Sequence, residues 1–248
     1  MKTHILIVIT SVICASLSYA GIEQSIRYYT NGNLVNPTTL PPEAPGLVKI
    51  RRTKDRTYST HELATMIETI AHEVAQKYPG RDRLQIGDVA NAKGGTIGQH
   101  KSHRNGLDAD IVYYRKNNKE QDPFWAGNYV EKFVKKGKPT ENFDAERNWQ
   151  LLTKLASFPQ VERVFVDIGI KRALCAIHVN NRDPIAQQAL RIMRPASLHD
   201  DHMHVRITCP PGSPRCVAQD PPAPGNGCGN NRMELDLLQS ILEEETGC

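Results

Sequence analysis

Two short stretches concentrate side chains of the kind that bind metals. GQHKSHRNGLDAD, residues 98–110, places His100, His103, Asp108 and Asp110 around Gly106, and LHDDHMHVR, residues 198–206, adds His199, His202 and His204. Two neutral imidazoles and one carboxylate suit zinc and leave a fourth position for water. The chemistry this points to is hydrolysis by a metal-activated water, with a nearby histidine moving protons near neutral pH.

Such a site needs rigid elements beneath it. Read as a strand, HMHVRI points His202 and His204 to one face and Met203 to the other. The same alternation in DADIV groups Asp108 with Asp110, and Gly106 supplies the tight turn that folds His103 back toward Asp110. Each pattern is weak alone; their joint occurrence at predicted strand edges carries the reading. Asp108 reads as a carboxylate that orients a ligand imidazole, and Asp200 and Asp201 as solvated or structural. His4, His61, His72 and His178 lack ligand-type company and read as ordinary surface or core residues.

The rest of the chain predicts a mixed helix and strand order. Ser59 and Glu62 have capping-box spacing ahead of Leu63, Met66, Ile67, Ile70 and Val74, an apolar stripe at helical period that Pro79-Gly80 ends. Strands are expected at LQIGDV, DADIVYY, VERVFVDIGI and HMHVRI, and helices at AERNWQLLTKLA and NRMELDLLQSILEEE. Residues 115–142 read as a Lys-rich, looped insertion without histidine, so no second zinc site is expected there. Residues 210–230 are rich in Pro and Gly and read as loop or tail.

At 248 residues, with 39% hydrophobic and 23% charged content, the chain fits one globular domain. A net charge of +4, spread along the sequence, argues against a dedicated nucleic-acid binder but allows weak attraction to a polyanionic surface. Residues 1–20 read as a signal peptide: Met1-Lys2, an apolar run too short to span a membrane, then Ser18-Tyr19-Ala20. Cys14 raises the question of a lipid anchor, but Ile13 before it is too bulky for such a signal. An exported, soluble mature protein without a membrane span is expected.

Export places five cysteines in an oxidising compartment, none in a C-x-x-C zinc pattern. CPPGSPRC is short enough to join Cys209 to Cys216 locally, which leaves Cys175 and Cys228 for a longer staple and Cys248 over. Sequence alone does not fix this connectivity.

SHRNGLDADI, followed about ninety residues later by DDHMHVR, resembles the pattern of the penicillin-insensitive murein endopeptidases, relatives of lysostaphin and the D-alanyl-D-alanine metallopeptidases. The flanks GDVANAKGGTIGQHK and RITCP...GNGCG are similar too, so the resemblance spans roughly residues 21–230. It implies an α+β, single-domain, hedgehog-like fold with a central antiparallel sheet and flanking helices. Residues 21–209 would form the peptidase domain and 210–248 a disulfide-clamped tail. It implies a zinc enzyme of the Gram-negative periplasm that cuts peptide cross-links of peptidoglycan. His103, Asp110 and His204 match the zinc ligands, His100 a further histidine of the coordination sphere, His202 the catalytic histidine, and His199 another active-site histidine that steadies charge or shares the base role. Asn33 stands where a tail-linking cysteine would be welcome, which puts docking of the tail in question. Alternative outcomes are a D-alanyl-D-alanine carboxypeptidase or dipeptidase and a non-catalytic zinc-containing binding module. An open groove is expected, walled by residues 93–99 and the insertion, with Lys101, Arg104 or Arg206 meeting substrate carboxylates.

Overall fold

The apolar stripe of the first helix dictates the middle of the molecule. In the computed structural model, which describes residues 21–246, α1 (His61–Lys77) buries Leu63, Met66, Ile67, Ile70 and Val74. Its N-terminus differs from the expected capping box. The helix is capped at Thr60 without a side-chain bond, and Glu23, far away in sequence, accepts from the backbone N–H of His61 at 2.6 Å.

Seven strands form one sheet. In chain order they are β1 (Glu43–Ala44), β2 (Leu47–Lys49), β3 (Leu84–Ile86), β4 (Asp108–Val112), β5 (Val161–Val166), β6 (Met193–Pro195) and β7 (His202–Ile207); in space the order is β6-β5-β7-β4-β3-β2-β1. The sheet is mixed, not purely antiparallel as expected. β2 and β3 run parallel because α1 crosses between them, and β5 and β6 run parallel across a helical connection. That connection is α3 (Ile168–His178) and α4 (Pro184–Ile192). The VERVFVDIGI strand stops at Val166, since Asp167 accepts from the Gly169 N–H and caps α3. α2 (Ala145–Ser157), likewise capped by Asp144, adds Leu151, Leu152 and Leu155 to a core continuous with α1 and the sheet.

The C-terminal segment is docked, although among the described residues no disulfide ties it to the N-terminal segment. Arg27 N–H donates to Arg215 O at 2.8 Å, Val217 N–H to Arg27 O at 3.1 Å, and Ser25 N–H to Ser213 Oγ at 2.9 Å. Disulfides join Cys175 to Cys228 and Cys209 to Cys216. α5 (Asn230–Thr246) then lies against β6, with Met233 buried and Asp236 paired to Arg194. The proposed signal peptide, His4, Cys14 and Cys248 lie outside the described residues. Among the described residues no helix is long and apolar enough to cross a membrane.

Candidate metal centre

The site is built across the antiparallel pair β4 and β7, where His204 stands directly opposite Asp110, Arg206 opposite Asp108, and His202 opposite Val112. Period-two alternation puts these side chains on one face, as the sequence pattern predicts. His103 joins them from the preceding turn. It holds a left-handed backbone at φ 62°, and Gly106 follows at φ 75°, where a Cβ would meet Leu34 at 2.8 Å. A histidine in that conformation is strained, a state that persists where the surroundings fix it.

Hydrogen bonds fix which imidazole nitrogens are free. His103 Nδ1 lies 2.8 Å from Val89 O, and a carbonyl only accepts, so Nδ1 carries a proton, and Nε2 presents a lone pair whenever the imidazole is neutral. Without a metal, burial works to lower the His103 pKa, but Asp110 outweighs it, raises the pKa and favours a proton on Nε2 as well. Nε2 stands 3.0 Å from Asp110 Oδ1, an acceptor. Both atoms are buried without a hydrogen-bond partner. Asp108 Oδ1 accepts from His204 Nε2 at 2.7 Å and from Arg206 Nε at 2.6 Å, which turns His204 Nδ1 toward Asp110 Oδ1 at 3.6 Å. Asp108 thus orients an imidazole, and its Oδ2 also accepts the His103 backbone N–H at 3.2 Å.

His100, His103 and Asp110 each offer a donor atom within 4.8 Å of the others, so this group could hold a metal ion. One nitrogen of His100 is otherwise engaged, since Nε2 lies 3.1 Å from Asp88 Oδ2. His202 approaches from the far side, with Nε2 3.5 Å from Asp110 Oδ1 and Nδ1 2.6 Å from Asp201 Oδ1. His199 sits beside His202 and His204, with ring centres 5.1 and 6.0 Å apart, and its Nδ1 donates to Ser197 O. A cleft of about 420 Å³ opens at His199 and His204, walled by Lys101, Phe165, Tyr29 and, from α5, Ser240.

Charge follows the same layout. Burial works to raise the Asp110 carboxyl, but His103 and His202 outweigh it and hold it well below the usual carboxylate range. Burial lowers His202, yet Asp110 and Asp201 together raise it to about 9. Burial, with the charge on His103, pushes His204 down to about 4. His199 is driven well down by burial and by His202 and His204, so it is neutral.

Two residues here were not singled out from sequence, and a third was given a lesser role. Asp88 is fully buried and takes His100, Arg51 and Arg56 on one oxygen. Tyr129, from the insertion, donates its hydroxyl to Asp110 Oδ2 at 3.0 Å. Asp201 does more than the solvated or structural role expected of it, because it holds the His202 imidazole. Its position just before His202 was the available signal; Tyr129 offered none. Arg206 is no free carboxylate partner, being spent on Asp108 and Gln219 and stacked over Tyr29 at 3.4 Å. His61 and His72 are exposed, and His178 stacks on Trp149 at 3.7 Å.

A mixed α/β domain with buried histidine and carboxylate donors gathered across two sheet strands defines a candidate metal-dependent class of protein. The chain belongs to the penicillin-insensitive murein endopeptidase family, whose model matches residues 25–245. It is 35% identical over 218 residues to a penicillin-insensitive murein endopeptidase of Klebsiella pneumoniae subsp. pneumoniae, covering 84% of this chain and 75% of that protein. It is 34% identical over 213 residues to the protein of the same name from Salmonella paratyphi B, with the same coverage of 84% and 75%. Membership places it among peptide-bond hydrolases.

Proposed function

We propose that the protein is a zinc-dependent murein endopeptidase that hydrolyses peptide cross-links of peptidoglycan in the periplasm, after export by its N-terminal signal. The observation that carries the zinc assignment is the pair of buried, unpartnered acceptors, His103 Nε2 and Asp110 Oδ1, 3.0 Å apart. With His103 neutral the two lone pairs repel, so a proton or a metal cation must join them; the N and O donor set suits zinc, which would take the proton's place. His103, Asp110 and His204 are assigned as ligands, with His100 completing the coordination sphere. The fold is read as hedgehog-like, with residues 21–209 as the peptidase domain and 210–248 as its clamped tail.

When bound, zinc acidifies a water and polarises the scissile carbonyl. The chain's own residues do the rest. Asp108 and the Val89 carbonyl hold the two ligand imidazoles in one tautomer and orientation. Tyr129 occupies Asp110 Oδ2 and leaves Oδ1 for the cation. Asp201 anchors His202 through Nδ1, so Nε2 takes the water's proton and returns it to the leaving amine. Once the charge of Asp110 is compensated, His202 keeps only the attraction of Asp201, so its pKa falls from the value it holds beside both carboxylates and toward the range where a general base works best. His199, neutral and buried beside His202, steadies that charge. No serine or cysteine nucleophile is involved, so a β-lactam finds no side chain to acylate.

Purified protein should convert cross-linked muropeptide dimers to monomers, stop in chelator, recover with zinc and ignore penicillin, as read by mass analysis. Release of free D-alanine from monomers, with dimers left intact, would replace this reading by a carboxypeptidase.

A further inference from the structure

Most cations around the cluster are matched to a carboxylate. Arg51 and Arg56 face Asp88 at 3.3 and 2.7 Å, and Arg206 faces Asp108 at 2.6 Å. On the His202 side, Lys132 faces Asp200 at 2.6 Å and Asp201 at 3.2 Å. Lys101 is the exception: it is exposed and forms no ion pair among the described residues.

Its place in the chain ties it to the metal donors. Lys101 stands between His100 and His103, both of which offer a donor atom to the cluster. The backbone is fixed on either side of it, since the His100 N–H donates to Ile97 O at 3.1 Å, Gly98 turns at φ 50° and His103 at φ 62°. Lys101 also lines the same cleft as His199 and His204, so no separate path is needed between cation and cluster.

The charges of that cleft have one sign. No aspartate or glutamate lines it, Phe165 and Ala196 give it an apolar wall, and its other cation, Arg206, is spent on Asp108. Apolar walls around uncompensated positive charge focus the field on whatever enters and favour an anion. Because Lys132 is already neutralised, the pull is confined to the Lys101 side of the site.

We infer that Lys101 is a specificity-determining residue, whose ammonium takes a free carboxylate of the peptide stem lying in the cleft beside His204. This rests on the endopeptidase reading for its substrate. It adds two things: the carboxylate-bearing part of the stem lies on the cleft side of the metal, and a stem whose carboxylate is amidated is a poorer substrate.

The test compares two cross-linked muropeptide dimers, one with free stem carboxylates and one with them amidated, on the zinc-loaded full chain. Wild type should favour the free dimer in kcat/KM by about fivefold, the size of one partly exposed ion pair. Added salt should erode that preference. Lys101→Gln, a change at an exposed position, should keep the fold and the zinc and bring the ratio toward one, chiefly through KM. Lys101→Arg, which keeps the charge, should retain the preference; a merely structural role for the lysine predicts no such split between the two variants. A zinc-loaded Lys101→Gln that prefers the free dimer as wild type does overturns the inference, and so does a wild type without preference. Calorimetric titration of monomeric stem peptides, free and amidated, reads the cleft apart from cleavage. Tighter binding of the free peptide that vanishes in Lys101→Gln supports the assignment, and equal binding of both peptides by wild type refutes it. A wild type that cleaves neither dimer ends the endopeptidase reading, while the titration still decides on Lys101.

Discussion

Two buried polar networks in this molecule look alike in composition and differ in what faces what. Around Arg147, 2% exposed, Nε donates to Asp144 Oδ2 at 2.9 Å, one terminal nitrogen serves Asp82 and the Arg115 carbonyl, and the guanidinium lies over the Tyr114 ring at 4.5 Å. Every contact sets a donor against an acceptor or a π face, although Asp82 Oδ2 is left without a partner. Around Asp110, by contrast, Oδ1 meets the lone pair of His103 at 3.0 Å and the Nδ1 of His204 at 3.6 Å. One orphaned atom is a common imperfection. Two orphaned acceptors aimed at each other are a request for a cation.

Substitutions should break the two networks in different ways. His204→Ala should have the largest effect, removing most bound zinc and lowering cleavage by more than about a hundredfold, beyond what loss of a supporting residue costs. Elemental analysis that finds full zinc together with full activity would sink the ligand assignment. His202→Ala should keep zinc and lose about 10²- to 10⁴-fold in kcat; if the metal departs as well, the two histidines exchange roles. Arg147→Met should leave zinc content and kcat as they are but cost about 3–5 kcal/mol in denaturant unfolding, because buried Asp82 loses its cation and Asp144 keeps only the more exposed Arg81. Unchanged stability there would show that the Arg147 network is not structural. Tyr129→Phe should have the smallest effect, weakening zinc in chelator competition by about tenfold while the fold persists. Unaltered affinity would mean that the hydroxyl merely fills space.

Periodicity made part of this legible. The α1 stripe and the HMHVRI alternation depend only on neighbours in sequence, so burial of Leu63 through Val74 and the shared face of His202 and His204 followed from spacing, whereas the resemblance, not spacing, put His204 with Asp110. What spacing could not show arises between distant segments. Glu23 caps α1 across 38 residues, which no local box encodes. Tyr129 reaches Asp110 from a loop that reads as polar filler, and Asp88 acquires its role only when Arg51, Arg56 and His100 converge on it. The parallel pairs in the sheet escaped notice for a similar reason. Strand direction is set by the helix that intervenes, whereas alternation reports only which face is buried.

The stitch between residues 25–27 and 213–217 bears on the order in which the molecule is completed. Ser25 and Ser213 are 188 positions apart, so their bond closes nearly the whole chain into a loop. Contacts of such sequence separation form late and slow folding. A chain that emerges with its N-terminus first must hold the Gln24–Ile26 edge waiting until residues 213–217 arrive. The cleft, walled among others by Tyr29 and Ser240, therefore takes shape only after the C-terminal segment has reached the N-terminal one. A hydrolase assembled in that order has no complete cleft until these two distant segments have met.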